Sequence, residues 1–228
     1  MKESIISFLF HYVVRFGYKI LWWPIPCGLD NIKELPADGA ILAGNHFSHY
    51  DPITVGIYPA RFPHFMAKRE LFTGKFGWFF KIIDLIPVDR SKHDSGLDGA
   101  KEHLGKGHLV VLFPEGTTKW KQPNQLLPFK LGAVRLAAST GRPIIPFAVV
   151  GKPKLFHYGC AKVVFGQPMW ISSKRELLGE NERVRKAVAE LMKELGCNNV
   201  QLIPGAPAHN PSKEPPLGLA KINKTSPL

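Results

Sequence analysis

Gly39-Ala40-Ile41-Leu42-Ala43-Gly44-Asn45-His46-Phe47-Ser48-His49-Tyr50-Asp51-Pro52, written GAILAGNHFSHYDP, opens on a short apolar run and stops abruptly in polar side chains. An unbroken apolar run of this length is the pattern of a strand buried on both faces, the strand type of parallel sheets. In an open α/β sheet, ligands bind outside the carboxyl ends of such strands. Working outward, FPHFMAK (62–68), LIPVDR (85–90), HLVVLF (108–113), PIIPFAVV (143–150) and AKVVFG (161–166) read as further short buried strands. Helical patterns separate them around TVGIYPA (54–60), RELFTGKFGWFFKII (69–83), SGLDGAKEHLGKG (95–107) and FKLGAVRLAAS (129–139). The alternation predicts an α/β fold: a single domain with a mostly parallel or mixed central sheet flanked by helices. A last helix is expected up to Gly196, with Ser173 and Glu176 as a capping box and Val184, Val188, Leu191 and Leu195 as its apolar face.

The chain has 228 residues, 45% of them hydrophobic, enough for a full core within one domain. A net charge of +12 calls for an anionic partner, and no nucleic-acid motif accompanies it, which leaves a membrane surface or a phosphorylated substrate. Cys27, Cys160 and Cys197 are far apart, so neither a disulfide framework nor a zinc motif is indicated, and a reducing compartment fits.

From Ile5 to Trp23 the polar residues Ser7, His11, Arg15 and Lys19 recur at every fourth position, drawing one polar stripe along a helix otherwise aliphatic and aromatic. Such a helix reaches only about 27 Å, marginal for a hydrocarbon core of about 30 Å. The stripe favours a helix lying in the membrane interface, with Trp22 and Trp23 at headgroup level and Pro24 ending it; a core helix and a spanning or signal segment are the alternatives. Three segments follow: a membrane-interface helix over 1–24, the main domain over 25–203, and a Pro-rich tail over 204–228 expected to be disordered.

Two windows carry candidate chemistry. In the first, an imidazole can take the proton of a hydroxyl as it attacks, and a carboxylate on the far ring nitrogen fixes the tautomer; His46 and Asp51 have that chemistry. On a helix they would diverge, so they meet only if the chain between them curls before the helix begins, a boundary that Pro52 suits. Plainer readings stand beside this one: Asp51 as an N-cap, Ser48 as a turn residue, His46 as a core histidine. A metal site of His46, His49 and Asp51 lacks any further ligand cluster. In the second window, HLVVLF runs into PEGTTKWK, so Glu115, Gly116, Thr117, Thr118 and Lys119 leave another strand end, where glycine permits tight turning and approach of backbone N–H groups to an anion.

NHFSHYD (45–51) and FPEGTTK (113–119) together resemble the two hallmarks of the glycerolipid acyltransferases related to 1-acylglycerol-3-phosphate acyltransferase: histidine and aspartate separated by four residues, and FPEGT. IPVDR (86–90) and IIPFAVVG (144–151) are similar to the family's two other blocks, in the same order. The resemblance implies direct acyl transfer from an acyl thioester, on coenzyme A or an acyl carrier protein, to a lysophospholipid hydroxyl, with no further cofactor. It implies His46 as general base, Asp51 as its orienting partner, Arg90 as a phosphate ligand, and Glu115 and Gly116 as acceptor-binding residues; Thr117, Thr118 and Lys119 are expected to bind substrate beside them, with Lys119 and Lys121 supplying charge. Many lysophosphatidate acyltransferases have arginine where Thr118 stands, so another lysolipid or a lipid amine is the alternative acceptor. A non-catalytic lipid-binding membrane protein is the alternative of another class.

Basic Arg61, Lys68, Arg69, Lys75, Lys81 and Arg90 are interleaved with Phe72, Phe76, Trp78, Phe79, Phe80, Ile82 and Ile83, a pattern suited to anionic headgroups and acyl chains, and equally to a core helix with a solvated side. No activated serine or cysteine motif is present. The expected setting is the cytoplasmic face of a membrane carrying anionic lipids.

Overall fold

The structure, a computed structural model, describes residues 9–75, 77–88, 95–119, 121–171 and 176–205. Arg90, Phe76, Ser173, the tail beyond residue 205 and the first eight residues of the N-terminal helix lie outside these. The chain enters through a π-helical turn, Leu9–Val14, and helix α1, Arg15–Trp22, followed by strand β1, Ile25–Cys27, and a one-turn helix at Asp30–Lys33. Then come β2 (Ala40–Gly44), α2 (Asp51–Gly56), β3 (Pro63–Lys68), a 3₁₀ turn (Arg69–Phe72), α3 (Gly77–Ile82), β4 (Ile86–Val88), α4 (Ser95–Gly105) and β5 (Leu109–Leu112). The two-residue strand β6 (Gln125–Leu126), α5 (Gly132–Thr140), β7 (Ile144–Gly151), β8 (Ala161–Phe165), α6 (Leu177–Glu194) and β9 (Gln201–Leu202) complete the order.

Seven strands form one mixed sheet in the order β1-β8-β7-β2-β5-β3-β4. β7, β2, β5, β3 and β4 run parallel; β8 is antiparallel to β7, and β1 is parallel to β8. The fold expectation therefore holds. β2 lies at the centre, and all five of its residues are buried, as its apolar run requires. One side of the sheet packs on α4, α5 and α6 through Leu104, Val134, Leu136, Val184 and Val188; the other packs on α1 and α2 through Tyr18, Val55 and Ile57.

The differences from expectation are local. β1, β6 and β9 are too short to show periodicity. The helix expected over 69–83 is two pieces, because the chain turns at Thr73 and Gly74, with Thr73 hydroxyl and amide both bonding the Glu70 carbonyl. Arg61 is a clamp, not a headgroup ligand: its guanidinium donates to the carbonyls of Pro36, Ala37 and Gly107. Of the expected capping box, Ser173 lies outside the described residues. Glu176 is itself at the N-cap of α6 and makes no side-chain capping bond, while the predicted face of Val184, Val188, Leu191 and Leu195 is buried.

Gly44 ends β2 where Phe147 of β7 lies against it; a Cβ there would sit 2.2 Å from the Phe147 carbonyl oxygen and 2.5 Å from its ring. Overpacking of this kind costs about 1–3 kcal/mol. Gly44→Ala should therefore lower the unfolding free energy by that margin, read as a lower urea midpoint at unchanged slope, and an unchanged midpoint would mean that the strands separate freely at this point.

Candidate functional site

Register places His46, just beyond β2, and Glu115 and Gly116, just beyond β5, on neighbouring strands at their carboxyl ends. The chain leaving β2 builds α2 on one side of the sheet, and the chain leaving β5 builds α5 on the other. The loops therefore diverge and open a crevice between the two strands, the usual location of a site in an α/β sheet.

The 45–50 segment curls instead of running straight into α2. His46 Nδ1 lies 2.9 Å from Asp51 Oδ2. The Asp51 carboxylate is fully buried, so its charge has to be met from inside the protein. Phe47 N–H donates to Oδ2 at 2.6 Å, Ser48 N–H to the same oxygen at 2.7 Å, and Ser48 Oγ to Oδ1 at 2.9 Å. An ionised carboxylate only accepts, so the His46 proton resides on Nδ1 and the Nε2 lone pair is left for a ligand. The ring stacks on Phe113 at 4.1 Å between centroids, which fixes its plane. Ser48 does a job that the turn reading only touched on: its amide and hydroxyl both hold Asp51, so its oxygen is committed away from the histidine.

Asn45 positions the loop from the other side. Its amide group donates to the Val149 carbonyl and accepts from the Val149 N–H, both at 2.8 Å, tying the exit of β2 to β7. No residue spacing announces this pair, since Asn45 and Val149 are 104 positions apart.

Glu115 and Lys119 are bonded within the protein. The Glu115 carboxylate is buried, accepts from His46 N–H at 3.0 Å and from Leu127 N–H at 2.8 Å, and is paired with Lys119 Nζ. Lys119 also donates to the Gln125 carbonyl, and its backbone N–H donates to the His46 carbonyl at 3.2 Å. Burial lowers the ammonium's pKa, and the Glu115 charge opposes that shift. The pair is thus a strut that locks the FPEG loop to the histidine loop, with its charges engaged internally. Gly116 has φ of +71°, and a Cβ would press on the Lys130 ammonium at 2.9 Å. Thr117 is exposed and Thr118 half-buried beside it, so these two face outward from the strut. His49 is exposed and does not join His46 and Asp51 as a metal ligand.

The arrangement can accept a proton from a hydroxyl at His46 Nε2 and hold the resulting imidazolium against Asp51. The acyltransferase family model matches residues 28–150, which contain all of it. The chain is 35% identical over 179 residues to the 1-acyl-sn-glycerol-3-phosphate acyltransferase of Bacillus subtilis, an alignment covering 72% of this chain and 87% of that one. It is 29% identical to the Saccharomyces cerevisiae protein of the same name over 83% of this chain and 63% of the yeast one. The crystal structure of the 1-acyl-sn-glycerophosphate acyltransferase of Thermotoga maritima superposes with a TM-score of 0.68 at 25% identity, covering 86% of this chain and 83% of that one. On these grounds the chain belongs to the acyltransferase family, among the relatives of 1-acylglycerol-3-phosphate acyltransferase.

Proposed function

We propose that this chain transfers a fatty acyl group from an acyl thioester to the free hydroxyl of 1-acyl-sn-glycerol 3-phosphate, making phosphatidate for phospholipid synthesis. The observation that carries the reading is the His46–Asp51 pair, 2.9 Å apart, with Nε2 left as a base. The names of the Bacillus subtilis and yeast relatives supply the substrate. In this mechanism the acceptor hydroxyl gives its proton to His46 Nε2 as its oxygen attacks the thioester carbonyl. Asp51 stabilises the imidazolium, and the collapsing adduct breaks the C–S bond as His46 returns the proton to the departing thiolate. No acyl-enzyme forms on Ser48, whose hydroxyl is buried and bonded to Asp51. Acyl-coenzyme A or an acyl carrier protein thioester is the donor and no further cofactor takes part.

The protein works on a membrane surface in this reading. Among the described residues no helix is long and apolar enough to cross a membrane. In α1, Arg15 donates to the Tyr58 carbonyl and Lys19 sits over the Tyr58 ring, so these two residues of the polar stripe face the protein. Leu9, Val13, Phe16, Ile20 and Trp23 consequently point outward, Phe16 being 66% exposed. The β7–β8 loop joins this face: Phe156 N–H bonds the Leu21 carbonyl, Gly159 N–H bonds the Trp23 carbonyl, and Phe156 is 75% exposed. Strand register puts Trp23 and this loop at the same end of the sheet as His46, and the chain leaves β3 at that end before the exposed Trp78 and Phe79. Exposed Lys68, Arg69, Lys75 and Lys81 add charge suited to anionic lipids on the cytoplasmic face.

His46→Ala should lower thiol release from acyl-coenzyme A by about 10²- to 10⁴-fold in a folded protein. Asp51→Asn should lose much of the same, and near-normal turnover in His46→Ala would refute the base. Glu115→Gln should instead cost stability, about 3–5 kcal/mol for a buried lysine left unpaired, with acceptor KM unchanged in the protein that folds. Phe16→Glu and Phe156→Glu should each reduce co-sedimentation with anionic vesicles while leaving circular dichroism unaltered; equal sedimentation would remove the membrane face. For the acceptor phosphate, Arg90→Ala should raise the lysophosphatidate KM strongly and leave the thioester KM alone, with Arg90→Lys recovering only part because a point charge lacks the guanidinium fork. Thr118→Arg should improve lysophosphatidate use if the acceptor is a phosphomonoester, and should do nothing or harm with a larger headgroup.

A further inference from the structure

At the amino ends of the strands, the side of the sheet opposite His46, three histidines meet. His64 is the second residue of β3, His103 belongs to the last turn of α4, and His108 immediately precedes β5. Each offers a ring nitrogen within 4.8 Å of those of the other two. The Nδ1 atoms of His103 and His108 are 3.1 Å apart. Beside them, the Asp84 carboxylate lies 3.2 Å from His64 Nδ1 and 3.9 Å from His103 Nδ1.

We propose that His64, His103 and His108 form a binding site for a zinc-class divalent cation, with Asp84 orienting the His64 ring and supplying compensating charge. A tetrahedral zinc ion with Zn–N bonds of about 2.0–2.1 Å needs ligand atoms about 3.3 Å apart. The His103 and His108 Nδ1 atoms share a hydrogen bond at 3.1 Å, close to that spacing, and the ion would displace the bridging proton. The His64 and His108 rings are stacked, 15° from parallel, so loading turns one of them about its Cβ–Cγ bond until the lone pairs converge. Ligand type selects the metal class, because imidazole suits zinc and its transition-metal neighbours, whereas magnesium and calcium demand oxygen ligands. His64 Nδ1 also lies 3.1 Å from the Asp84 carbonyl, the second contact expected of a ligating histidine held in one tautomer. Access is available at Asp84, whose side chain is 40% exposed at the rim.

Such an ion would cross-link β3, the turn before β4, the end of α4 and the start of β5, so its effect is on stability at the end of the sheet remote from acyl transfer. Asp84 has φ of +54°, a left-handed conformation that bends the chain towards the histidines just before β4.

The test uses untagged full-length protein, stripped with a chelator and titrated with ZnCl₂ in a calorimeter. One zinc per chain should bind, and the thermal midpoint should climb with the logarithm of zinc concentration, while MgCl₂ has no effect. His103→Ala and His108→Ala, chosen because His64 is buried, should each weaken zinc binding at least about 10- to 100-fold. His46→Ala should bind zinc like the wild type, which separates this site from the acyl-transfer histidine. No stoichiometric zinc, equal zinc binding in the two histidine variants, or its loss in His46→Ala would each overturn the site. A cobalt(II) titration of the wild type gives a reading independent of variant folding: intense tetrahedral d–d absorption supports the site, and a weak octahedral spectrum overturns it.

Discussion

The Asp51 carboxylate is withdrawn completely from water and kept as an acceptor by two backbone N–H groups, one hydroxyl and one imidazole. Burying an ion costs several kcal/mol unless its lone pairs are met, so the conformation of residues 46–50 follows from that single requirement. Only a chain that curls back on itself can bring the amides of Phe47 and Ser48 to the same oxygen as the His46 ring. The turn in turn requires a backbone that leaves the sheet sharply at Gly44, and an anchor on its far side, which Asn45 provides through Val149. The pairing of His46 with Asp51 is thus a consequence of satisfying one buried charge.

A second buried carboxylate extends the same logic to the neighbouring strand. Glu115 joins the amides of His46 and Leu127 and the ammonium of Lys119, so the FPEG loop and the histidine loop are held as one unit. That unit spans the crevice between β2 and β5, where the two exits go to opposite faces of the sheet. The motif's glutamate thereby fixes the placement of the histidine backbone, while Thr117 is exposed and Thr118 half-buried beside it.

Helix α1 inverts the usual arrangement of an amphipathic helix on a globular domain. Its polar stripe is spent on Tyr58, and Tyr18, which is 5% exposed, hydrogen-bonds Thr54 of α2 at 2.9 Å. Burial of Tyr18 raises its phenol to about 12, which keeps it a neutral donor or acceptor in this contact. Arg15, Lys19 and the Tyr18–Trp22 side of α1 face the domain, and Val13, Phe16 and Ile20 are left exposed.

Sequence alone determined the elements whose signal is local. The buried strands, the α/β alternation, the order of the conserved-looking blocks and the pairing of His46 with Asp51 were legible, because apolar periodicity, turn chemistry and a five-residue separation are all properties of neighbouring residues. The direction in which a side chain spends its polarity was not. Arg15 and Lys19 formed a stripe that pattern alone aimed at water, and Arg61, read as a headgroup ligand, clamps carbonyls of remote loops. The internal bonds of Glu115 and Lys119 were likewise hidden, because a motif records which residues recur together and not which of their atoms are already bonded. The His64, His103 and His108 cluster left no ligand spacing in the sequence, since strand pairing of β3 with β5 and the packing of α4 bring its members together. Long-range contacts of this kind are set by sheet order and helix placement, which only the tertiary structure decided.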